Sequence, residues 1–149
     1  MKVCIIYDTK RGSTRQIARW MMEELEDLDN VKAEMKKPSE ISDFGHDLFI
    51  IGSPIYWEKP MKSVVDFLSS NQNNFKDKKV AIFVVCIAEI FGKGTEKYIK
   101  NHYLKPLEEK VSGSLIKSKS FKGWMRKPDC KQEKNVKEWT RGVIKECSF

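Results

Sequence analysis

The chain has 149 residues, of which 40% are hydrophobic and 33% are charged, and its formal net charge is +7. This composition is ordinary for a globular protein, the length suits one domain over residues 1–149, and no apolar run approaches the ~20 residues that cross a membrane. The four cysteines are scattered without Cys-x-x-Cys spacing, so the sequence predicts no metal site and a reducing, cytoplasmic environment.

The predicted elements alternate between strands and helices. Nearly continuous apolar runs at residues 3–7, 48–51 and 80–85 predict parallel strands buried on both faces, and weaker patterns predict strands at 31–35 and 114–119. Helices are predicted at residues 14–28, 61–68, 95–107 and 136–147. This alternation predicts an α/β fold, a doubly wound five-stranded parallel sheet of order 2-1-3-4-5 with helices on both faces. Ligands of such sheets bind beyond the carboxyl ends of the strands.

The loop between the first strand and the first helix has the residue types of an anion site. A helix N-terminus carries unpaired N–H groups and roughly half a positive charge. Gly12 lets the backbone approach an anion closely, and neighbouring hydroxyls are neutral donors. A terminal monophosphate fits best, because the glycine patterns of P-loops and dinucleotide folds are absent, although a plain helix cap at Ser13 is the simpler alternative. The predicted phosphate loop consists of Thr9, Lys10, Arg11, Gly12, Ser13 and Thr14.

Two further loops bring aromatic side chains to the same edge of the predicted sheet. Tyr56 and Trp57 follow the third predicted strand, and Phe91 follows the fourth. Rings beside a phosphate loop favour a flat, π-rich ligand, although each ring alone is equally consistent with core or lid packing. The predicted aromatic loop consists of Ser53, Pro54, Ile55, Tyr56, Trp57 and Glu58. The predicted third loop contributes Cys86, Ile87, Ala88, Glu89, Phe91 and Gly92.

Taken together, the Thr-x-x-Gly-Ser-Thr loop, the Gly-Ser-Pro-Ile-Tyr-Trp stretch and the strand spacing resemble the flavodoxin family in its short form. The resemblance covers essentially the whole chain. It implies FMN as the cofactor, with the phosphate in the phosphate loop and the isoalloxazine between the aromatic and third loops, stacked on Tyr56 or Trp57. It also implies that the flavin carries the redox chemistry, so no catalytic side chain is predicted.

Two features depart from the family pattern. Typical members are acidic, whereas this chain has a formal charge of +7, which suits an acidic partner, a nucleic acid or an anionic membrane surface. We expect acidic, ferredoxin-like redox partners and no nucleic acid. The other departure is that residues 55–59 contain no glycine, where many relatives carry one beside the flavin, and a non-glycine residue at positive φ costs roughly 1–2 kcal/mol. The densest basic stretch, which is alternatively an ordinary solvated surface, contains Lys117, Lys119, Lys122, Arg126 and Lys127.

The resemblance leaves more than one function open. The first is a soluble carrier of one or two electrons. The second is an FMN oxidoreductase of the protoporphyrinogen dehydrogenase or quinone reductase type, which residues 51–56 and the basic charge also resemble. Porphyrinogen-oxidising relatives carry a long insertion after the last strand, and residues 121–134 offer little room for one, which favours the carrier. A binding module without a cofactor is the third, and a yellow purified protein would exclude it.

Overall fold

A parallel sheet forms the centre of the computed structural model, which describes residues 1–86, 96–124 and 126–147. Its strands in chain order are β1 (Lys2–Tyr7), β2 (Lys32–Lys36), β3 (Leu48–Tyr56), β4 (Lys59–Pro60), β5 (Lys79–Cys86) and β6 (Ser114–Lys122). The order across the sheet is β2-β1-β3-β5-β6, all parallel, and β4 pairs antiparallel with the end of β3. Without the two-residue β4, this is the predicted order 2-1-3-4-5, which confirms the fold class.

The inner strands β1, β3 and β5 are almost completely buried, because helices cover both faces of the sheet. The edge strands β2 and β6 are mostly half-buried or exposed. Sequence patterns located all five long strands, but β3 runs on to Tyr56, so much of the predicted aromatic loop is strand. The short β4 was not predicted, since two residues carry no periodicity.

The helices in chain order are α1 (Ser13–Glu26), α2 (Lys62–Ser70), α3 (Gln72–Phe75), α4 (Glu96–Ile99), α5 (Lys105–Glu108) and α6 (Lys131–Cys147). On one face, α1 and α6 pack over Val3 and Ile5 of β1. On the other face, α2 and the segment from α4 to α5 cover Cys4 and Ile6. Neighbouring residues of one strand thus belong to different halves of the core, as the alternation of side chains along a strand requires.

The predicted helix at residues 95–107 is only partly regular. A π-helical turn, Lys100–Leu104, joins α4 to α5, and residue 95 lies outside the described residues. Pro106 lacks the N–H that an α-helix would direct at the carbonyl four residues earlier, and a wider turn relieves the crowding of its ring. Within the described ranges, no helix is both long enough and apolar enough to cross a membrane.

Candidate functional site

The phosphate loop connects the carboxyl end of β1 to the amino end of α1. Gly12 is the N-cap residue with φ of 94°, a left-handed conformation that glycine adopts without strain, and no side chain caps the helix. The N–H of Gly12 donates to Oγ1 of Thr9 at 3.0 Å, which curls the loop. A Cβ built on Gly12 would meet no atom of the described residues within 4 Å, so the space beside this residue is open. The first N–H groups of α1 therefore face a cleft that suits an anion.

Thr14 supplies the strongest sign of a ligand in this cleft. Its side chain is fully buried, and its Oγ1 has no hydrogen-bond partner among the described residues. A buried hydroxyl without a partner costs about 1–3 kcal/mol, so native structures nearly always satisfy such groups. A phosphate oxygen at the N-terminus of α1 would supply the missing acceptor. The residues present thus fit a phosphate group.

Asp8, the residue after β1, holds the phosphate loop against α2. One carboxylate oxygen accepts from the backbone N–H of Thr9 at 2.8 Å, and the other accepts from Oγ of Ser63 at 2.6 Å. These two contacts leave Asp8 shaping the loop rather than facing an anion directly. No sequence pattern points to Ser63, because a serine in the first turn of a helix is too common to indicate a function.

The aromatic loop ends in a two-residue β-hairpin. Tyr56 of β3 pairs with Lys59 of β4, and the residues between them, Trp57 and Glu58, have φ of 50° and 66°. Positive φ at both central positions defines a type I′ turn, which normally selects asparagine, aspartate or glycine. The sequence has none of these here, so the turn carries backbone strain at two adjacent residues. Ser53, earlier in β3, is buried. Its hydroxyl donates to the carbonyl of Pro54 and accepts from the backbone N–H of Met61, the residue before α2.

Two tyrosines stabilise the turn through hydrogen bonds to Glu58. Tyr103 and Tyr98 each donate a 2.6 Å hydrogen bond from the hydroxyl to Oε2 of Glu58. Both hydrogen bonds hold the pKa of the Glu58 carboxyl below its ordinary value, and the bond from Tyr103 has the larger effect. Burial and the bond to Glu58 raise the pKa of Tyr103 above its ordinary range. The hairpin is therefore anchored to the helical segment that follows the third loop.

The structure brings the phosphate and aromatic loops together. The Nζ atom of Lys10 lies 5.1 Å from the centroid of the Tyr56 ring, within the range of a cation–π contact. Tyr56 is half-buried, whereas Trp57 is 92% exposed at the tip of the turn. An exposed indole has the area and shape to cover a flat ring or a partner surface.

The third loop is described at its first residue alone. Cys86 is buried at the end of β5. Ile87, Ala88, Glu89, Phe91 and Gly92 lie outside the described residues, and their predicted roles stay predictions. Sequence reasoning missed Tyr98 and Tyr103, because their link to Glu58 spans 40 and 45 residues and follows no local pattern.

Comparisons with known proteins show the family and agree with the fold. The flavodoxin domain family model matches residues 4–128. Among solved structures, oxidised flavodoxin 2 from Bacillus cereus is 16% identical with a TM-score of 0.74, and the match covers 98% of this chain and 99% of that one. A short-chain flavodoxin associated with a PDU bacterial microcompartment is 15% identical, with a TM-score of 0.72 and 99% of each chain covered.

A further match is the two-electron reduced flavodoxin of Megasphaera elsdenii, which is 20% identical with a TM-score of 0.67 over 96% of this chain and 98% of that one. No curated protein sequence matches the chain. The fold is that of doubly wound domains with a flavodoxin-like strand order. The chain belongs to the flavodoxin family, and its cofactor is FMN.

Proposed function

We propose that this protein is a flavodoxin-type electron carrier that exchanges electrons with acidic protein partners. The observation that carries the proposal is the buried Oγ1 of Thr14, which has no hydrogen-bond partner in the described part of the chain, at the N-terminus of α1. In this proposal the phosphate loop holds the FMN phosphate, because its backbone N–H groups and neutral hydroxyls suit a terminal phosphate dianion. FMN supplies the redox chemistry, and the chain binds and orients it.

The aromatic and third loops would flank the ring system of the flavin. Tyr56 and Trp57 follow one another at the mouth of the sheet, and the positive-φ turn holds Trp57 out in solvent, where it can cover a flat ligand. The hydrogen bonds of Glu58 to Tyr98 and Tyr103 keep this turn in one conformation before the ligand arrives. Preorganisation of this kind reduces the conformational entropy lost on binding.

Positive side chains around the cleft support an acidic partner. Lys10, Arg11 and Lys59 are exposed on the two loops, and the side chain of Lys62 at the start of α2 is also exposed. At the other side, Lys122 ends β6 next to Cys86, and exposed Arg126 follows it. Cations that surround the redox edge of a protein steer an anionic partner toward it.

The scattered cysteines support the proposal of a cytoplasmic protein, since Cys130 and Cys147 form no disulfide.

The experiment begins with the absorbance spectrum and FMN content of the untagged protein. We expect one FMN per chain, and electron exchange with an acidic ferredoxin that slows as salt rises, because ions screen the attraction. Lys62→Glu should slow the exchange at low salt. Its matched control is Lys110→Glu, an exposed lysine in the turn before β6, at the opposite edge of the sheet. A colourless protein would overturn the cofactor assignment, and a rate independent of salt and of Lys62 would overturn the acidic partner.

An oxidoreductase with its own substrate is the second candidate. A depression of about 630 Å³ adjoins the Glu58 turn and is lined by Val65, Tyr98 and His102 among others, so a small molecule has room near the flavin edge. The carrier proposal expects no turnover of quinones or porphyrinogens beyond the slow reaction of reduced flavin alone. Saturable turnover that Tyr98→Ala abolishes, with FMN content unchanged, would favour the enzyme.

A further inference from the structure

A second cluster of reactive side chains lies on the sheet away from the proposed flavin cleft. Cys4 of β1, Glu34 of β2 and His46 before β3 bring a sulfur, a carboxylate oxygen and a ring nitrogen within 4.8 Å of one another. Cys4 and Glu34 are paired residues in the register of neighbouring strands, which places them rigidly. His46 lies near the amino end of β3, whereas the flavin cleft lies at the carboxyl ends of the strands.

The histidine has an incomplete set of hydrogen bonds. Its side chain is 8% exposed, and Nε2 contacts Oε1 of Glu34 at 2.8 Å. Nδ1 is buried and has no hydrogen-bond partner within the described part of the chain. A metal held between the three side chains would take a ring nitrogen of His46 in place of its present contact with Glu34, because the carboxylate cannot bind the metal and also stay on the other nitrogen of the same ring. The described residues therefore leave the hydrogen bonds of this buried imidazole incomplete.

We propose that Cys4, Glu34 and His46 form a zinc-binding site. A thiolate, an imidazole and a carboxylate are the three ligand types of protein zinc sites, whereas calcium and magnesium take oxygen ligands almost alone. Zinc sites with three protein ligands keep a fourth position for water. A cavity of about 200 Å³ beside Glu34 and His46 can supply that water, and the Asp43 side chain on its wall can accept a hydrogen bond from it.

The charges of the cluster favour a cation once the sulfur is ionised. The thiol proton leaves to solvent as the sulfur–metal bond forms, and no atom changes its oxidation state. Burial raises the pKa of Cys4 to about 12, so the cation must compensate the cost of the thiolate. Asp43 and Glu34 add negative charge, while Lys2 and Lys32 on the cavity wall and Lys36, which acts on the Cys4 thiol, oppose it. The thiolate form of Cys4 is therefore expected only when zinc is bound.

Zinc at this position would join β1, the edge strand β2 and the segment before β3. Tyr7 lies three positions after Cys4, about 10 Å along β1. The site therefore stabilises the half of the sheet that carries the phosphate loop without reaching the flavin. Its failure would leave the proposed electron carrier untouched, and loss of FMN would not disturb it.

The test measures zinc in the untagged protein with its FMN bound. After incubation with zinc and removal of the excess by gel filtration, we expect one zinc per chain and a higher unfolding temperature. Cys4→Ser, His46→Gln and Glu34→Gln should each weaken zinc binding by about 100-fold or more, since loss of a residue that merely supports a ligand already costs about 10–100-fold. Glu34 is half-exposed, so Glu34→Gln keeps the test valid where a core variant fails to fold. Cys130→Ser, at an exposed cysteine, is the matched control and should retain the metal.

Cobalt provides an independent reading of the ligands. Bound Co²⁺ should show a thiolate charge-transfer band and tetrahedral ligand-field bands, both lost in Cys4→Ser. No zinc above the level of Cys4→Ser, or zinc that survives all three substitutions, would overturn the proposal. FMN content, measured on the same samples, should stay at one per chain in every variant that folds.

Discussion

Oε2 of Glu58 accepts a 2.6 Å hydrogen bond from the hydroxyl of Tyr103, a residue that is 1% exposed and 45 positions further along the chain. Glu58 itself lies in a solvent-facing turn at φ of 66°. The contact therefore joins a strained hairpin to a buried side chain of the helical layer, and Tyr98 reinforces it from the surface. This anchor explains how a turn without glycine can persist beside the proposed flavin cleft.

The first prediction concerns Tyr103 and alkaline pH. Its pKa is raised above the ordinary 10.0 in the folded protein, mainly by burial and then by the bond to Glu58. The unfolded chain therefore loses this proton first as the pH rises, and the contribution to stability, complete below 10.0, declines above it. We expect the free energy of unfolding, measured with urea, to be lower at one pH unit above 10.0 than at one pH unit below it. This difference should be smaller in Tyr103→Phe. Equal slopes in both proteins would contradict it.

The second prediction concerns backbone strain at Trp57. The side chain is 92% exposed, so its replacement removes little packing, while φ of 50° favours glycine. Trp57→Gly should be more stable than Trp57→Ala by about 1 kcal/mol. The matched pair is Asp66→Gly and Asp66→Ala on the exposed face of α2, where glycine should instead be less stable by about 1 kcal/mol. Urea unfolding measures both pairs, and the same sign at both positions would refute the assigned turn.

The third prediction tests the phosphate loop. Thr14→Val keeps the buried shape but removes the unpartnered hydroxyl, so FMN binding should weaken by about 1–3 kcal/mol. Thr14→Ser retains the hydroxyl and should bind nearly as well as the original protein. Riboflavin has no phosphate, and its weaker binding should be the same in all three proteins. Fluorescence titration of the apoprotein gives the affinities, and an equal loss for riboflavin would place Thr14 elsewhere than at the phosphate.

The fourth prediction concerns the close approach of β3 and β5. Gly52 pairs with Phe83, and a Cβ on Gly52 would lie 2.0 Å from the ring. Gly52→Ala should cost about 1–3 kcal/mol of stability or more, because the ring has to move in a packed core. Adding Phe83→Leu should recover part of that loss, so that the double variant loses less than the sum of the single ones.

Gly142 of α6 is the control for this overlap. A Cβ there would meet the flexible end of Lys117 at 3.0 Å, so Gly142→Ala should be neutral or stabilising by up to about 1 kcal/mol. Urea unfolding of these four variants and of the original protein decides between the two outcomes. Full additivity of Gly52→Ala and Phe83→Leu would show that the ring is not the obstacle.

The local patterns of the chain predicted the strands, most helices and the phosphate loop. Three of these features are neighbours in the chain: the apolar run of β1, the glycine and hydroxyls that follow it, and the amphipathic helix α1. Their periods and residue types therefore predict the local structure directly. The parallel order then followed from the alternation of strands and helices with right-handed crossovers. Bounds were less certain, as the extension of β3 to Tyr56 shows.

Contacts between distant segments were decided by the tertiary structure. The turn at Trp57 and Glu58 lacks the residues that usually occupy positive φ. Its anchor at Tyr103 exists because the helical segment that carries this tyrosine packs against β4, β5 and β6. Cys4, Glu34 and His46 have no metal-binding spacing in the sequence, yet strand register and burial bring them within 4.8 Å. The sequence determines elements through short-range periodicity, whereas these sites depend on register and packing, which side chains far apart in the chain decide together.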